Sequence, residues 1–395
     1  MLAYAHYLND ARIKSYVRTL EDCGCSVDVI ALRSNGESRL EVRPIGNTYR
    51  IMDKYQGQST VMYGWSYFRF FLKAFILLSW RSLSCRYQVV HVHNMPNALV
   101  FAAIVPRLFG ARLILDVHDL MTVNYMAKFS ADEMDLRIQV LEIEQRLSAL
   151  FADHIVCADH NQGDYLAARC GVSKKKITVL MNLPNERIFA SRPQETPVGN
   201  GAFRIVYHGT IAHRLGIDLI LRAMERVVDG IPAELWMYGA GDYLPEALAL
   251  TSQLGLEGQV HFNRQFFPVE QIPEIVCGMD LGIIGNRRNL ACDQYMLPVK
   301  LLEYVYLGVP VIAPRLAVIQ RYFDDTMIRF YEPENVEQLA ASIVELYHDR
   351  EERERLARSA SSFYQQHNIK AQAEQYLDLL TESSDRLCIA PERHT

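Results

Sequence analysis

One segment of the sequence decides the fold: PVKLLEYVYLGVPVI, residues 298–312. Pro298 stands where a helix can begin, and Gly308 stands where it can end, because glycine readily adopts the left-handed conformation that closes a helix. The residues after Gly308 are apolar and largely β-branched, as in a strand that is buried on both faces. The segment therefore predicts a helix that leads directly into a strand of a parallel sheet.

The same alternation of short apolar strands and helix-length segments runs along the chain and predicts an α/β protein with two doubly wound, Rossmann-like domains. A chain of 395 residues is long enough for two or three domains. Residues 183–202 are rich in proline and glycine and lack periodicity, as a linker does. The predicted division is residues 1–185, a linker at 186–203, residues 204–350, and helices at 351–395 that pack back on the first domain.

The predicted strands indicate where a ligand would bind, and the composition limits the class of protein. The first domain has predicted strands at 2–7, 27–32, 89–93, 113–117, 154–158 and 177–182, and the second has them at 204–208, 234–238, 260–263, 281–284 and 310–313. Ligands of such sheets bind outside the carboxyl ends of the strands, which predicts a site in a cleft between the domains. A hydrophobic content of 50% with 22% charged residues is typical of a folded globule and excludes disorder and coiled coil.

No segment suggests a membrane span or a signal peptide. The longest uncharged apolar run noted, residues 74–80, is far shorter than the roughly 20 residues that cross a bilayer. We therefore expect a cytoplasmic protein. Its eight cysteines show no C-x-x-C pair or zinc spacing, which favours reduced thiols and no metal site.

Charge is distributed unevenly between the two halves. Residues 1–185 hold 21 Lys and Arg against 17 Asp and Glu, whereas residues 186–395 hold 20 against 29. Residues 54–115 carry seven cations and no acidic residue. We expect this stretch to meet an anionic partner, and nothing in the sequence favours a nucleic acid.

Glycine turns follow two strands of the second domain. Gly209 and Thr210 precede Arg214 and a predicted helix start near Gly216, an arrangement that can cradle a phosphate through backbone N–H groups. Gly239 and Gly241 follow the next strand, where glycine lets a ligand approach the backbone closely. An ordinary strand-to-helix turn remains an equal alternative for the first of these segments.

Lys300 and Glu303 share one face of the helix in the deciding segment, because residues three apart lie side by side on a helix. Glu303 could accept hydrogen bonds from two ribose hydroxyls while Lys300 meets a phosphate. The alternative is a surface ion pair, which contributes only a few tenths of a kcal/mol.

These segments together resemble the retaining nucleotide-sugar glycosyltransferases of family 4, which have the GT-B fold. The resemblance covers nearly the whole chain and rests on residues 10–12, 89–94, 116–120, 152–155, 279–282 and 286–288, the two glycine turns and the Glu303 helix. It implies a nucleoside diphosphate sugar on the second domain, a glycan or lipid-linked acceptor on the first, no cofactor, and a role in surface polysaccharide biosynthesis.

The resemblance also assigns residues. Glu303 corresponds to the glutamate that holds the donor ribose, Arg214 to the basic residue on the diphosphate, and His118 to a histidine that faces the transferred sugar. The complete implied set is His118 and Asp119 for catalysis; Gly209, Thr210, Arg214, Gly239, Gly241, Arg264, Asp293, Leu297, Lys300 and Glu303 for the donor; and Arg12, His93 and Asn94 for the acceptor. His118 and His93 have the alternative of being structural core histidines.

The sequence departs from the family pattern at three places. The family has two glutamates eight residues apart, but Tyr295 occupies the first position, so Asp293 or the backbone at Met296 and Leu297 would have to contact the sugar. Leu215 stands where the family commonly has a lysine, which leaves Arg214 and Lys300 for the phosphates. The first strand is short, and the turn after it lacks the usual glycines.

The expected mechanism is metal-independent, with cationic side chains and helix N-termini stabilising the leaving diphosphate. Because no carboxylate is well placed as a nucleophile, we expect front-face transfer in which the leaving phosphate takes the acceptor proton. Three alternatives remain: a GT-B-like sugar-nucleotide epimerase, a pyridoxal-dependent phosphorylase with Lys300 as the Schiff base, and a non-catalytic sugar-nucleotide-binding protein.

Residues 63–87 combine aromatic residues at both ends with Arg69, Lys73, Arg81 and Arg86. Such a segment suits a helix that lies in a lipid interface, with Trp65 and Trp80 as anchors and the cations on anionic headgroups. The alternative is an ordinary crossover helix. The two are compatible, with the end around residues 63–68 exposed, and together they predict a protein bound peripherally to the inner face of the cytoplasmic membrane.

Overall fold

A computed structural model describes residues 1–34, 36–55, 57, 59–129, 134–189 and 201–381. The chain divides into two compact units. The first consists of Met1–Asn182 and the chain from Lys370 onward, and the second consists of Leu183–Ile369. The prediction of two α/β domains is confirmed, whereas most of the predicted linker, residues 190–200, lies outside the described residues.

The first unit is built on an eight-stranded sheet in the order β3-β4-β2-β1-β5-β6-β7-β8. All neighbours are parallel except β3 and β4, which form an antiparallel edge hairpin that was not predicted. The strands are β1 Leu2–His6, β2 Val29–Arg33, β3 Leu40–Arg43, β4 Gly46–Asp53, β5 Val89–His93, β6 Arg112–Val117, β7 His154–Cys157 and β8 Ile177–Val179.

Helices cover both faces of this sheet. Ala3 belongs to the core cluster of α1 (Ala11–Asp22) and α16 (Ile369–Thr381). The ring of Tyr4 contacts Tyr67 and Phe70 of α2 (Thr60–Ser84). Successive strand residues point to opposite faces, so α1 and α16 cover one face and α2 covers the other. The helices are α1 Ala11–Asp22, α2 Thr60–Ser84, α3 Ile104–Leu108, α4 Met121–Phe129, α5 Leu136–Phe151 and α6 His160–Cys170, with a 3-10 segment Asn97–Ala103 before α3 and α16 given below.

The second unit has a parallel six-stranded sheet in the order β11-β10-β9-β12-β13-β14. Its strands are β9 Phe203–His208, β10 Ala233–Tyr238, β11 Val260–Asn263, β12 Leu281–Ile283, β13 Val311–Pro314 and β14 Arg329–Tyr331. Its helices are α7 Glu186–Phe189, α8 Ile217–Val228, α9 Leu244–Gln253, α10 Ile272–Val276, α11 Val299–Leu307, α12 Ala317–Gln320, α13 Val336–His348, α14 Arg350–Ala360 and α15 Phe363–Gln366.

The C-terminal helices differ from the prediction that residues 351–395 all pack on the first domain. Helices α14 and α15 belong to the second unit, where Leu356 enters the core. Helix α16, Ile369–Thr381, supplies Tyr376 and Leu380 to the core of the first unit. The exchange therefore occurs near Lys370, and residues 382–395 lie outside the described part.

Helix α2 is longer and more apolar than the short uncharged run suggested. Among the described residues, Val61–Ser84 is the one helix long and apolar enough to cross a membrane by length and composition. A helix that covers the core of a soluble domain meets the same criterion. Phe70, Ala74 and Leu78 are buried on the inner side of α2. The crossover helix expected before β5 is therefore present, as part of the domain.

Candidate functional site

The glycine turns after β9 and β10 lie against each other at the carboxyl edge of the second sheet. Backbone N–H groups of Gly209 and Ile211 donate to Tyr238 and Ala240 at 2.8 and 2.9 Å. A Cβ on Gly239 would lie 1.8 Å from the carbonyl oxygen of Gly209. A Cβ on Gly241 would likewise lie 2.1 Å from the carbonyl oxygen of Ile211. Gly239 and Gly241 are therefore required by the close packing of two loops, a reason different from the ligand approach that the sequence suggested.

The turn that carries Arg214 leads into α8 as expected. A 3-10 turn, His213–Leu215, is followed by Gly216 with φ +67°, and α8 begins at Ile217. A Cβ on Gly216 would lie 1.9 Å from the oxygen of Gly285, so no other residue fits. Arg214 and Thr210 are exposed, and Arg214 Nη1 contacts Met296 Sδ at 3.3 Å.

Lys300 lies over the aromatic ring of Tyr207 with Nζ 3.8 Å from the ring centre. A Cβ on Gly209 would lie 3.5 Å from the same Nζ, so this glycine and the lysine face each other. Burial lowers the pKa of Lys300 to about 7, and the positive charge of Arg214 also lowers it, while Glu303 raises it. An anion bound here would favour the charged amine, because opposite charges raise the pKa of a lysine.

Glu303 is buried in α11 and faces a histidine that the sequence analysis did not assign. Its Oε2 lies 3.2 Å from Nε2 of His208, and both side chains are nearly inaccessible. His208 is the last residue of β9, directly before Gly209. The signal that could have identified it is this position at the carboxyl end of a strand in the predicted site.

The region that replaces the family's first glutamate is held by local contacts. Asp293 accepts from the backbone N–H of Ala317 at 3.1 Å and from the side chain of Gln294 at 2.7 Å. It lies in a π-helical turn, Ala291–Tyr295. Asp293 therefore already has two partners within the fold, and Leu297 is half-buried beside this turn.

Arg264 lies in a different environment from Lys300 and Glu303. It lines an open groove of about 590 Å³ on β10 and β11 together with Trp236, Tyr238 and His261. The rings of Trp236 and His261 are 4.3 Å apart. The structure thus groups Arg264 with an aromatic surface on the edge of the second sheet.

A buried ion pair forms the centre of the candidate site in the first unit. Both carboxylate oxygens of Asp116 accept from Arg12 at 2.9 Å, and Asp116 is fully buried. Arg12 also donates to the backbone oxygen of Leu180 and to the side chain of Asn182. Four of its five N–H groups are used. Its contacts therefore give Arg12 a structural role and do not support the predicted acceptor contact.

Three histidines surround Asp116. His93 Nδ1 and His118 Nε2 lie 3.2 and 3.3 Å from Asp116 Oδ2, and 3.0 Å from each other. His91 stacks on His93 at 4.4 Å, as the alternation along β5 predicts. His93 is buried, whereas His118, just after β6, is partly exposed. Of these three rings, His118 is the one available to a ligand.

The electrostatics of the cluster follow from burial. Burial by itself would raise the pKa of Asp116, but Arg12 and His118 hold it well below the usual range of a carboxyl. Burial, together with neighbouring His91, keeps the pKa of His93 well below its ordinary value. At neutral pH the cluster therefore contains a carboxylate, a guanidinium and a neutral His93.

The loop after β6 is fixed by Asn94. Its Oδ1 accepts from the backbone N–H of His118 at 2.8 Å, and its Nδ2 donates to the backbone oxygen of Asp119 at 2.7 Å. Gln162 donates to the backbone oxygen of His118 at 3.2 Å. Asn94 therefore positions both predicted catalytic residues, although it is almost completely buried and was expected on the acceptor side.

One group of side chains has the spacing of a metal site. His91, His93 and Asp116 offer ligand atoms within 4.8 Å of one another. Arg12, however, already occupies both oxygens of Asp116, and its charge would repel a cation. These residues fit an ion pair better than a metal ion.

Comparisons with known proteins identify both units. Residues 11–183 match the family model described as Glycosyltransferase Family 4, and residues 202–349 match the one described as Glycosyl transferases group 1. No curated protein matches the chain in sequence.

Solved structures match over nearly the whole chain. Sucrose-phosphate synthase from Thermosynechococcus elongatus has a TM-score of 0.77 at 16% identity and covers 96% of this chain and 98% of its own. WaaG, a glycosyltransferase involved in lipopolysaccharide biosynthesis, has a TM-score of 0.70 at 14% identity, and the match covers 96% of this chain and 100% of WaaG. Anabaena HepE in complex with UDP-glucose has a TM-score of 0.71 at 12% identity, and the match covers 96% of this chain and 98% of HepE. At these identities the likeness shows the fold.

Proposed function

The chain belongs to the group 1, family 4 glycosyltransferases and has the GT-B fold, and from this premise we propose the reaction that it performs. It transfers a hexosyl residue from a nucleoside diphosphate sugar to a glycan or lipid-linked acceptor with retention of configuration. The transfer needs no metal ion and serves surface polysaccharide biosynthesis. The reaction takes place in the cytoplasm or at the inner face of the cytoplasmic membrane.

The observation that carries the proposal is the cluster at the carboxyl edge of the second sheet. Lys300 lies between Tyr207 and Gly209 with a pKa of about 7, and the buried Glu303 lies beside His208. A cation destabilised by burial and a fixed carboxylate acceptor side by side suit a ligand with a phosphate and vicinal hydroxyls. A nucleoside diphosphate has both groups.

Relatives of the same fold support the choice of donor. HepE has been solved with UDP, with UDP and glucose, and with UDP-glucose. In this chain we assign the ribose to Glu303 and the diphosphate to Arg214 and Lys300. Gly209 and Thr210 line the same turn, where backbone N–H groups at the start of α8 add to the positive potential.

The first unit supplies His118 for the transferred sugar. Asp116 and His93 hold its Nε2, and Asn94 holds its backbone, so the ring has one orientation. In the proposed step the bond between the anomeric carbon and the leaving phosphate oxygen breaks, and the acceptor oxygen bonds to that carbon on the same face. The acceptor proton passes to the leaving phosphate, whose charge the cations of the second unit stabilise.

Calorimetry with nucleoside diphosphates and their sugars tests the proposal. Glu303→Gln should weaken binding of the matching nucleoside diphosphate at least about tenfold, because a hydrogen bond to a charged group contributes about 1.5–3 kcal/mol. Glu246→Gln, an exposed glutamate of α9, is the matched control and should bind as the wild type does. Equal affinities for all three proteins would refute the role of Glu303.

Product analysis separates the alternatives. A transferase hydrolyses or transfers the sugar and remains active in excess chelator, so strict dependence on a divalent ion would contradict the metal-free step. Donor binding with no turnover on any acceptor would favour a non-catalytic binding protein, for which Tyr295 in place of the first glutamate is the supporting observation. A C2-inverted or eliminated sugar would favour an epimerase, and a pyridoxal absorbance band in the purified protein would favour the phosphorylase.

A further inference from the structure

Helix α2 has an apolar surface on the side that faces away from its sheet. Apolar residues recur there at intervals of three and four, the spacing of one helix face. They are Val61, Trp65, Phe68, Leu72, Ile76, Trp80 and Leu83, each between 45% and 81% exposed. The opposite side is also apolar, because it covers the core. Helix α2 is therefore hydrophobic on both sides, while the described residues of the first unit cover only one of them.

Two neighbouring helices extend this surface. The segment Asn97–Leu108 contacts both α2 and α5. Ile104, Leu108 and Phe109 are exposed on and directly after α3. On α5 the exposed apolar residues again recur at intervals of three and four: Leu136, Val140, Ile143, Leu147 and Leu150. These residues and those of α2 are called the outer helical face below. Contiguous apolar patches of this kind mark interaction sites.

The charges around the outer helical face are positive along α2. Arg69, Lys73 and Arg86 are exposed on or just after this helix, and residues 54–115 include no acidic side chain. Arg81, which the sequence suggested for headgroup contact, instead pairs with Asp28 at 3.1 Å within the fold. Lys73 donates one hydrogen bond, from Nζ to the backbone oxygen of Ile51 at 3.2 Å, and two of its three N–H groups remain. Arg69, Lys73 and Arg86 are therefore exposed to an anionic partner.

We propose that the outer helical face binds an anionic lipid bilayer, with α2 lying in the plane of the interface. Trp65 and Trp80, near the two ends of α2, enter the headgroup region, while Arg69, Lys73 and Arg86 meet lipid phosphates. A second copy of the chain fits less well, because a symmetric contact would bring the same cations of two copies together.

The helix lies on the membrane and does not span it. Its inner side is fixed to the domain by a hydrogen bond between Ser66 and Tyr4 at 2.8 Å and by the Arg81–Asp28 pair. Withdrawing α2 into a bilayer would uncover Phe70 and Ala74 and the sheet beneath them. The first unit therefore remains folded while its outer helical face contacts lipid.

The outer helical face adds a membrane-binding surface to the proposed function, and the identity of the acceptor rests on that proposed function. A lipid-linked acceptor diffuses in the plane of the membrane, and an enzyme held there by its acceptor-side unit meets it in two dimensions. Membrane binding itself needs neither donor nor activity. Vesicle binding and donor binding are therefore measured separately, and each can fail while the other holds.

Co-sedimentation of the full chain with vesicles tests the proposal. Vesicles of phosphatidylcholine and phosphatidylglycerol in equal amounts should bind the protein, and vesicles of phosphatidylcholine alone should bind it far less. Arg69→Gln with Lys73→Gln should weaken binding about twenty-five-fold, since each cation near an anionic surface contributes about fivefold. Arg18→Gln with Arg39→Gln, which removes two exposed cations elsewhere in the first unit, is the matched control and should leave binding unchanged.

A second test variant and its control measure the contribution of apolar side chains to membrane binding. Trp80→Ser with Leu83→Ser should weaken binding roughly tenfold or more, because both side chains leave water on binding. Val42→Ser should have no effect, although Val42 is 77% exposed and Leu83 is 74% exposed. Circular dichroism confirms that each variant is folded.

Three results would overturn the proposal. The first is absence of binding to the anionic vesicles at low salt by a protein that still binds its donor. The second is binding that persists at about 1 M salt and in alkaline carbonate, which would indicate a spanning helix. The third is a wild-type protein that does not bind vesicles and is a dimer in sedimentation equilibrium, while the Trp80→Ser, Leu83→Ser variant is a monomer.

Discussion

Replacing Asp116 by asparagine removes the negative charge from the buried ion pair of the first unit. Arg12 would keep its place in the interior, with its side chain 9% exposed and without a counter-charge. Removing one partner of a buried pair costs about 3–5 kcal/mol, because the remaining charge stays desolvated. A native domain has a total stability of about 5–15 kcal/mol, so Asp116→Asn should be among the most damaging single changes in this unit.

An exposed pair with the same geometry provides the control. Asp53 also accepts two hydrogen bonds from one arginine, Arg33, at 2.7 Å each, but the Asp53 side chain is 57% exposed. Such a surface pair contributes about 0–1 kcal/mol. Asp53→Asn should therefore reduce the free energy of unfolding by a small fraction of the loss in Asp116→Asn.

Urea denaturation followed by pulse proteolysis measures both variants, because the fragments report the two units separately. Arg12→Met combined with Asp116→Leu should recover much of the stability, since replacing both charges by apolar groups leaves none unpaired. This double variant keeps the test meaningful if Asp116→Asn fails to fold. A loss in Asp116→Asn no larger than that in Asp53→Asn would refute the assignment of Asp116 as the centre of the cluster.

The loss of stability in Asp116→Asn should depend on pH. The pKa of Asp116 is depressed in the folded state, and a carboxyl in an unfolded chain has a pKa of about 3.9. Its stabilising contribution is therefore fully present above about pH 4 and is lost as the pH falls below that value. The difference in stability between wild type and Asp116→Asn should shrink in acid.

Three further predictions concern the ligands. The affinity for a nucleoside diphosphate sugar should fall as the pH rises through about 7, because Lys300 then loses its proton, and titration calorimetry of Lys300→Met should show no such slope. Arg214→Ala should weaken a nucleoside diphosphate about tenfold or more and the nucleoside hardly at all, whereas equal losses would make Arg214 structural. His118→Ala should lower turnover while binding of the nucleoside diphosphate stays unchanged, and a fully active variant would return His118 to a structural role.

Local signals in the sequence were sufficient for the α/β architecture. Gly216 and Gly308 adopt left-handed conformations at the two helix boundaries where the sequence placed them. Alternating residues of β5 put His91 and His93 on one face, as period-two geometry requires. These features depend on residues close in sequence, which is why they could be predicted.

The hairpin β3–β4 gave no such signal. The residues of β3 alternate between apolar and polar, but the strand has only four residues and is mostly exposed, so it shows neither an apolar run nor a buried face. Its position depends on contacts with other strands, such as that of Gly46, where a Cβ would lie 2.1 Å from the carbonyl oxygen of Val27. The separation of α14 and α16 into different units also depends on where their apolar faces find partners, which the helical pattern does not specify.

The sequence by itself determined the two α/β units, the helix that carries Lys300 and Glu303, and the strand end that carries His118. Only the tertiary structure decided which charges meet. Arg12 and Asp116 are 104 residues apart in the chain and form a bidentate pair, and His208 at the end of β9 lies beside Glu303 of helix α11. A periodic pattern specifies the direction of each side chain relative to its own element, whereas the distance between two side chains depends on how separate elements pack.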